Sequence, residues 1–287
     1  MLQRMGHRIK NSMKKIGPLV RLVRVASGIG DLWRKIDQDL NQQHEREQAL
    51  ALRQQVIAAY LDAEAAPKLQ IGAGTNPLPG WLNSDYEPLS GEIIFLDATQ
   101  VFPFEDQVFD TVFSEHMIEH ISYKDGLFML REAYRVLRPG GRIRLATPDV
   151  EKIVSLLSPE KSELVRRYLQ WSAQENLGLY SPLKSRLQIR RPEWDLDHEH
   201  MVRAFPDSSR DSAGFVVNNF FHSYGHKFLY DAFTLRSALQ DVGFAEVKRY
   251  PPGESEDEHL RGIEHHQRLI GDEMNRFETM VLEARRP

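Results

Sequence analysis

His116, Glu119 and His120 are spaced for proton or metal chemistry. In a helical turn the two histidines would share one face, with Glu119 beside His120. An imidazole titrates near neutral pH, so it can take a proton from a nucleophile as that nucleophile attacks. The same spelling, His-x-x-Glu-His, is also the inverted zinc-protease motif, and a zinc hydrolase built on these three residues is one alternative. Upstream stands Gly72-x-Gly74. Glycine there lets the backbone turn sharply and lets a ligand approach without a Cβ in the way. Asp85 closes the run Trp81-Leu82-Asn83-Ser84-Asp85, and Asp97 follows Ile93-Ile94-Phe95-Leu96. A carboxylate at the first position can accept both ribose hydroxyl protons. One at the second can accept from the exocyclic amine of adenine, or simply cap a helix. Pro77 and Pro79 follow the glycines too soon for an immediate long helix. The third glycine of a dinucleotide fingerprint is missing, which disfavours a nicotinamide dehydrogenase, and no Gly-Lys-Ser/Thr follows to make a P-loop.

A further polar set lies between residues 151 and 225 and just beyond it. It holds Trp171, Tyr180 and Trp194, then His198 and His200 within Asp195 to Met201, then His222, Tyr224 and His226. Aromatics interleaved with acids and histidines suit a polar, ring-shaped substrate whose CH faces stack and whose hydroxyls need partners. The Asp/His run could instead hold a divalent metal; a polar lid without metal is the preferred reading. His259, His265 and His266 lie among many charges and read as surface residues, and the acidic run Glu254–Glu258 reads as a solvated loop.

The elements that must position these groups alternate. Lys68–Ile71, Ile93–Leu96, Val108–Phe113 and Gly141–Ala146 read as strands, and Leu127, Leu130, Tyr134 and Leu137 recur at helical steps until Pro139-Gly140-Gly141. Asp231–Val242 reads as a helix stopped by Gly243, followed by strand candidates at Phe244–Tyr250 and Phe277–Glu283. Such alternation predicts an α/β fold, a mostly parallel sheet covered by helices, with ligands outside the carboxyl ends of the strands.

Before Pro67 the pattern is helical. Residues 1–30 carry seven Lys/Arg and no acid, with apolar residues at steps of three and four from Leu2 to Val23. Such a basic stripe suits an anionic membrane surface, a protein partner or a transit peptide. Residues 1–66 are therefore read as a basic amphipathic helical extension, and 67–287 as one domain with 151–225 inserted as a substrate lid. Composition bounds the rest: 287 residues, 41% hydrophobic and 27% charged, make an ordinary globular chain. Net charge of −4 argues against a nucleic-acid binder. Cysteine is absent, which excludes disulfides and thiolate chemistry and fits a reducing compartment, here expected to be cytoplasmic, at most peripheral to the inner membrane face.

The order of these segments resembles the class I S-adenosylmethionine-dependent methyltransferases. The resemblance rests on Leu69-Gln70-Ile71-Gly72-Ala73-Gly74, then Asp85, then Leu96-Asp97-Ala98. It continues through Phe102 to Phe113, Ser114-Glu115-His116-Met117-Ile118-Glu119-His120, and Glu132-Ala133-Tyr134-Arg135-Val136-Leu137-Arg138-Pro139-Gly140-Gly141. It is strong over about 67–150, looser over 226–283, and closest to bacterial enzymes found with cell-surface glycan enzymes. It implies a Rossmann-like seven-stranded sheet with its last strand antiparallel, and S-adenosylmethionine as cofactor. The cofactor would be held by Gln70, Gly72, Ala73, Gly74, Asp85, Asp97, Ala98, Ser114 and Glu115. It implies methyl transfer, here to oxygen on a glycan or other small polar acceptor, with His116, His120 and Glu119 as catalytic candidates, His198, His200, His222, Tyr224 and His226 toward the substrate, and no metal. A non-catalytic cofactor-binding subunit is the runner-up. Two departures stand out: Gln70 replaces a frequent acid, and the step from Gly74 to Asp85 is short, so the first crossover helix must be reduced or replaced by loop.

Overall fold

The computed structural model describes residues 52–175, 212–222 and 224–287. The chain divides into two compact units, 1–53 and 54–287. The basic stripe of 1–30, most of the following helical stretch, Tyr180, Trp194, His198 and His200 lie outside the described residues.

The second unit starts earlier than the boundary expected near Pro67. Helix α1 (52–63) presents Ile57, Tyr60 and Leu61 at helical spacing, and all three pack on the main core. The Tyr60 hydroxyl also bridges the carbonyls of Lys68 and Gly80 and accepts from the Lys68 amide, so the helix is pinned to the first strand.

Seven strands form one sheet: β1 (Lys68–Ile71), β2 (Leu82–Asp85), β3 (Ile93–Phe95), β4 (Phe109–Glu115), β5 (Leu137–Pro148), β6 (Ala245–Tyr250) and β7 (Thr279–Arg285). Their order is β3-β2-β1-β4-β5-β7-β6. The pairs among β1 to β5 are parallel, and β7 runs antiparallel to both neighbours. Leu69, Val112, Phe113, Ile143 and Leu145 are fully buried, as strands covered on both faces require. Between β1 and β2 there are only turns: of a reduced helix or a loop, the short Gly74-to-Asp85 step is met by loop.

Helix α2 (Tyr123–Val136) starts on Ser122, whose hydroxyl accepts from the Asp125 amide, and buries Met129, Leu130, Ala133 and Val136. The strand after it begins at Leu137, earlier than the glycines suggested. Arg138 precedes Pro139, and a residue before proline is pushed out of the helical region, so the chain turns extended there. Helices α3 (Val150–Ser155), α4 (Glu163–Glu175) and α5 (Ala213–His222) contribute to a second core around Tyr168, Phe220 and Phe277. Helix α6 (Ala232–Val242) is capped by Asp231 and ends on Gly243 at φ +115, as read from sequence. Two short helices, α7 (Gln267–Ile270) and α8 (Asp272–Glu278), precede β7. The expected strand at Phe277 therefore starts two residues late. Among the described residues no helix is long and apolar enough to cross a membrane.

Candidate active site

The β1 turn is built from inside. Gln70 is buried, and its amide donates to the Asn76 carbonyl and accepts from the Leu78 amide. Gln70 therefore shapes the loop; its departure from the usual acid is explained by this use. Asn83 accepts from the same Leu78 amide. Gly72 stands at φ +77, and a Cβ there would come within 2.6 Å of the Met117 side chain. Gly74 stands at φ +52 and a Cβ on it would meet nothing within 4 Å, so its outer side is open. The Asp85 carboxylate accepts from the Gly74 amide at 2.8 Å and from the Glu87 amide at 2.8 Å. Asp97 accepts from the Thr99 amide and hydroxyl, and Ala98 beside it is buried. Asp85 and Asp97 are both partly exposed.

Ser114 pairs with Ile71 across β4 and β1, and its buried Oγ has no hydrogen-bond partner. Glu115 is committed elsewhere: its carboxylate accepts from the amides of His265 and His266. It thus anchors the segment before α7.

The His-Glu-His segment differs from the helical turn expected. His116 stands at φ +47 and its amide still donates to Ala146 in the sheet, so only Ile118–His120 make a short 3-10 turn. The two histidines consequently fall on different sides of Glu119. On one side His116 Nδ1 lies 3.2 Å from Glu119 Oε1, at an angle short of a hydrogen bond. His116 Nε2 meets Thr279 Oγ1 at 3.1 Å, and its ring stacks on His266 with centroids 3.7 Å apart. On the other side His120 faces His226, ring centroids 5.1 Å apart. Glu119 itself is fully buried, and its Oε2 accepts from the Thr147 hydroxyl.

His266 is not the surface residue that its charged sequence neighbours suggest. It is mostly buried, stacked on His116 and 3.3 Å from Glu278 Oε1. The contact spans 150 residues of chain, so no local pattern announces it. Glu278 and its partner Tyr168 were likewise missed for the same reason. His259 is exposed, as expected; the acidic run is exposed except for Ser255, which is buried, and Asp257. Of the substrate candidates, His222 is exposed at the end of α5, while Tyr224 packs 5.5 Å from the His226 ring.

The electrostatics follow the packing. Burial would raise the Glu119 carboxyl, but the neighbouring His116, His120 and His226 hold it below the ordinary range. Burial would lower the His116 imidazole, but Glu119, Glu278 and Glu115 outweigh it and raise it. His226 is lowered, chiefly by burial, against the pull of Glu119.

Residues 82–145 match the methyltransferase domain family. That segment holds β2 to β4, most of β5 and the whole His-Glu-His turn, and the sheet order places the antiparallel strand between β5 and β6. This is a class I methyltransferase fold. No curated protein sequence matches the chain. Among solved structures, a SAM-dependent methyltransferase of Archaeoglobus fulgidus is similar at 16% identity and a TM-score of 0.41, covering 84% of this chain and 94% of that one. A possible histamine N-methyltransferase of Thermotoga maritima gives 16% identity, a TM-score of 0.40, and coverage of 79% and 88%. An S-adenosylmethionine-dependent methyltransferase of Mesorhizobium loti gives 14%, 0.40, and 77% and 90%. Likenesses this distant carry no weight beside the strand order. The methyltransferase fold and the family match name S-adenosylmethionine as the cofactor. The residues present fit it: an open glycine turn, two partly exposed carboxylates on adjacent strand ends, and the buried unpartnered Ser114 hydroxyl beside them. Asp85 would hold the ribose, and Asp97 with the Ala98 amide the adenine.

Proposed function

We propose that this chain methylates oxygen on a glycan or other small polar acceptor. The reading rests above all on one observation: Asp85 ends β2 and Asp97 follows β3, the next strand over, beside the Gly72–Gly74 turn. S-adenosylmethionine supplies an electrophilic methyl group on a sulfonium there. The chain's own work is to place it, exclude water and manage the acceptor's proton. Met117 lies against Gly72, so the turn carrying Glu119 and His120 abuts the cofactor loop.

His116 has both ring nitrogens engaged, by Glu119 and Thr279, and acts in this reading by positioning Glu119. The acceptor's proton is therefore handled by the cluster of Glu119, His120 and His226. The partly exposed Tyr224 and His226 pack their rings 5.5 Å apart over the buried Phe220 and offer an aromatic face suited to the CH face of a sugar.

The test is calorimetry with S-adenosylhomocysteine, followed by labelled methyl transfer to a panel of hydroxyl acceptors. Binding with transfer is expected, and His120→Ala should lower kcat by about 100-fold or more, the usual share of a proton-handling group, with cofactor affinity retained. No binding would overturn the reading. Binding without transfer to any acceptor would favour a non-catalytic subunit.

A further inference from the structure

Glu119, His120 and His226 each offer one ligand atom, and these atoms lie within 4.8 Å of one another. The three come from two distant parts of the chain. Glu119 and His120 close the 3-10 turn after β4, and His226 lies in the return segment before α6. That segment is tied down by backbone bonds, since the amides of Lys227 and Phe228 both donate to the Glu119 carbonyl. The approach is thus built into the fold.

Three features give the cluster the character of a ligand set. First, His226 Nδ1 sits 2.7 Å from the Phe220 carbonyl oxygen. A carbonyl can only accept, so Nδ1 carries the hydrogen and Nε2 keeps its lone pair. A backbone carbonyl fixing the tautomer of a metal-bound histidine is the usual outer-shell arrangement. Second, Glu119 is fully buried; its Oε2 accepts from Thr147, whereas Oε1 makes no hydrogen bond and has only the ion-pair contact with His116 at 3.2 Å. A buried carboxylate oxygen without a hydrogen bond has coordination capacity left for a cation. Third, nothing cationic but histidine stands near that oxygen among the described residues.

We propose that Glu119, His120 and His226 bind a divalent transition-metal ion of the zinc class. Two imidazoles and one carboxylate are a suitable donor set for such an ion, and three protein ligands leave a fourth position open. Zinc bonds of about 2.0–2.2 Å put tetrahedral ligand atoms about 3.5 Å apart, so side-chain adjustments of about an ångström close the site. The site differs from the inverted zinc-protease motif read from sequence, because His116 is replaced by His226. It rests on the methyltransferase reading only for its role: the open position would take the acceptor hydroxyl, and the cluster would then handle the proton through the cation, which eases its loss to solvent, rather than as a free base.

The test uses the full chain, stripped with chelator and titrated with Zn²⁺ in a calorimeter, alongside S-adenosylhomocysteine in a separate cell. One zinc per chain is expected at micromolar or tighter affinity, weakened at least 100-fold in both His226→Ala and Glu119→Gln. His259→Ala, an exposed histidine elsewhere, should bind as the parent does. Thermal melting with and without Zn²⁺ gives a second readout: the parent should gain several degrees and His226→Ala none. Absence of stoichiometric zinc, or the same zinc affinity in His226→Ala, overturns the site. Loss of S-adenosylhomocysteine binding would instead strike the methyltransferase reading, so the two failures are distinguishable.

Discussion

At the β1–β2–β3 edge, Asp85 and Asp97 accept only from backbone amides and a hydroxyl of their own or the adjoining strand-end loop, and both stay partly exposed. At the β4–β5–β7 edge, Glu119, Glu264, Glu278 and Glu283 are buried and are held by side chains far away in sequence. Exposed acids on short strand ends can exchange water for a ligand at little cost. Buried acids cannot; each must be matched by a partner, and the partners must arrive from elsewhere in the fold. One edge is thus a receptacle shaped by backbone, the other a network whose members orient one another. An entering ligand meets the two edges differently: the first by shape and hydrogen bonds, the second by groups already in place.

The harshest way to break the second edge is through Arg144. Its guanidinium is fully buried on β5 and bonds Glu264, Glu283 and the Glu254 carbonyl. It is the fastening of the 253–264 loop to the sheet. Arg144→Met strands two buried carboxylates, and losing one partner of a buried pair costs about 3–5 kcal/mol, read as a Tm lower by about 10 °C. Burial already raises the Glu264 carboxyl against the pull of Arg144, and losing that pull raises it further, so the added penalty is absent below the unfolded value near 4.5 and grows as pH rises. The variant should regain stability relative to the parent as the pH falls toward 5. Folded Arg144→Met should still bind S-adenosylhomocysteine as the parent does, because the receptacle edge is untouched. A variant melting like the parent at pH 7.5 would show that the network is not needed.

The first edge fails by binding. Asp85 both steadies the Gly74 amide and offers itself to a ribose. A hydrogen bond to a charged group is worth about 1.5–3 kcal/mol, so Asp85→Ala should weaken S-adenosylhomocysteine by about 10- to 100-fold. Its Tm should hardly move, since the side chain is partly exposed. Calorimetry and melting together check this; a large Tm loss with intact affinity would reverse the roles given to the two edges.

The same contrast explains what could be read from the chain. Gly72, Gly74, Asp85 and Asp97 are each placed by a strand a few residues away, and Asp231 and Gly243 bracket their own helix. Local pattern suffices for these. Gln70 was legible as a position, but its bonds to Asn76 and Leu78 depend on how the loop folds back. The His116–Glu119–His120 spelling was visible, yet its helical reading failed because His116 remains bonded to β5. His266, Glu278 and Arg144 were not legible, because their partners lie more than a hundred residues off or on separate elements. His226 is legible as a substrate-side residue near the active edge, but its approach to Glu119 and His120 depends on the return segment being clipped to their turn by backbone bonds.

One charged brace crosses the contrast and serves the receptacle edge. Glu132 on α2 accepts from the Phe102 amide and from Arg135, which donates to the carbonyls of Phe102 and Phe104. Together they hold the loop that follows Asp97 and Ala98. Burial would raise the Glu132 carboxyl, but the hydrogen bonds and charge of Arg135 and the Phe102 amide bring it below the usual 4.5. A depressed folded pKa contributes stability that is present above 4.5 and is lost as pH falls through the lower, folded value. Glu132→Gln should therefore melt below the parent at pH 7 by about 2–4 °C, as expected for about 1 kcal/mol in a chain of this size. The gap should close as the pH drops below 4.5, whereas the Asp85→Ala binding defect should persist at neutral pH with no such thermal signature. If the gap instead widened on acidification, Glu132 would be acting as a neutral acid, and the loop carrying Asp97 would owe its position to packing alone.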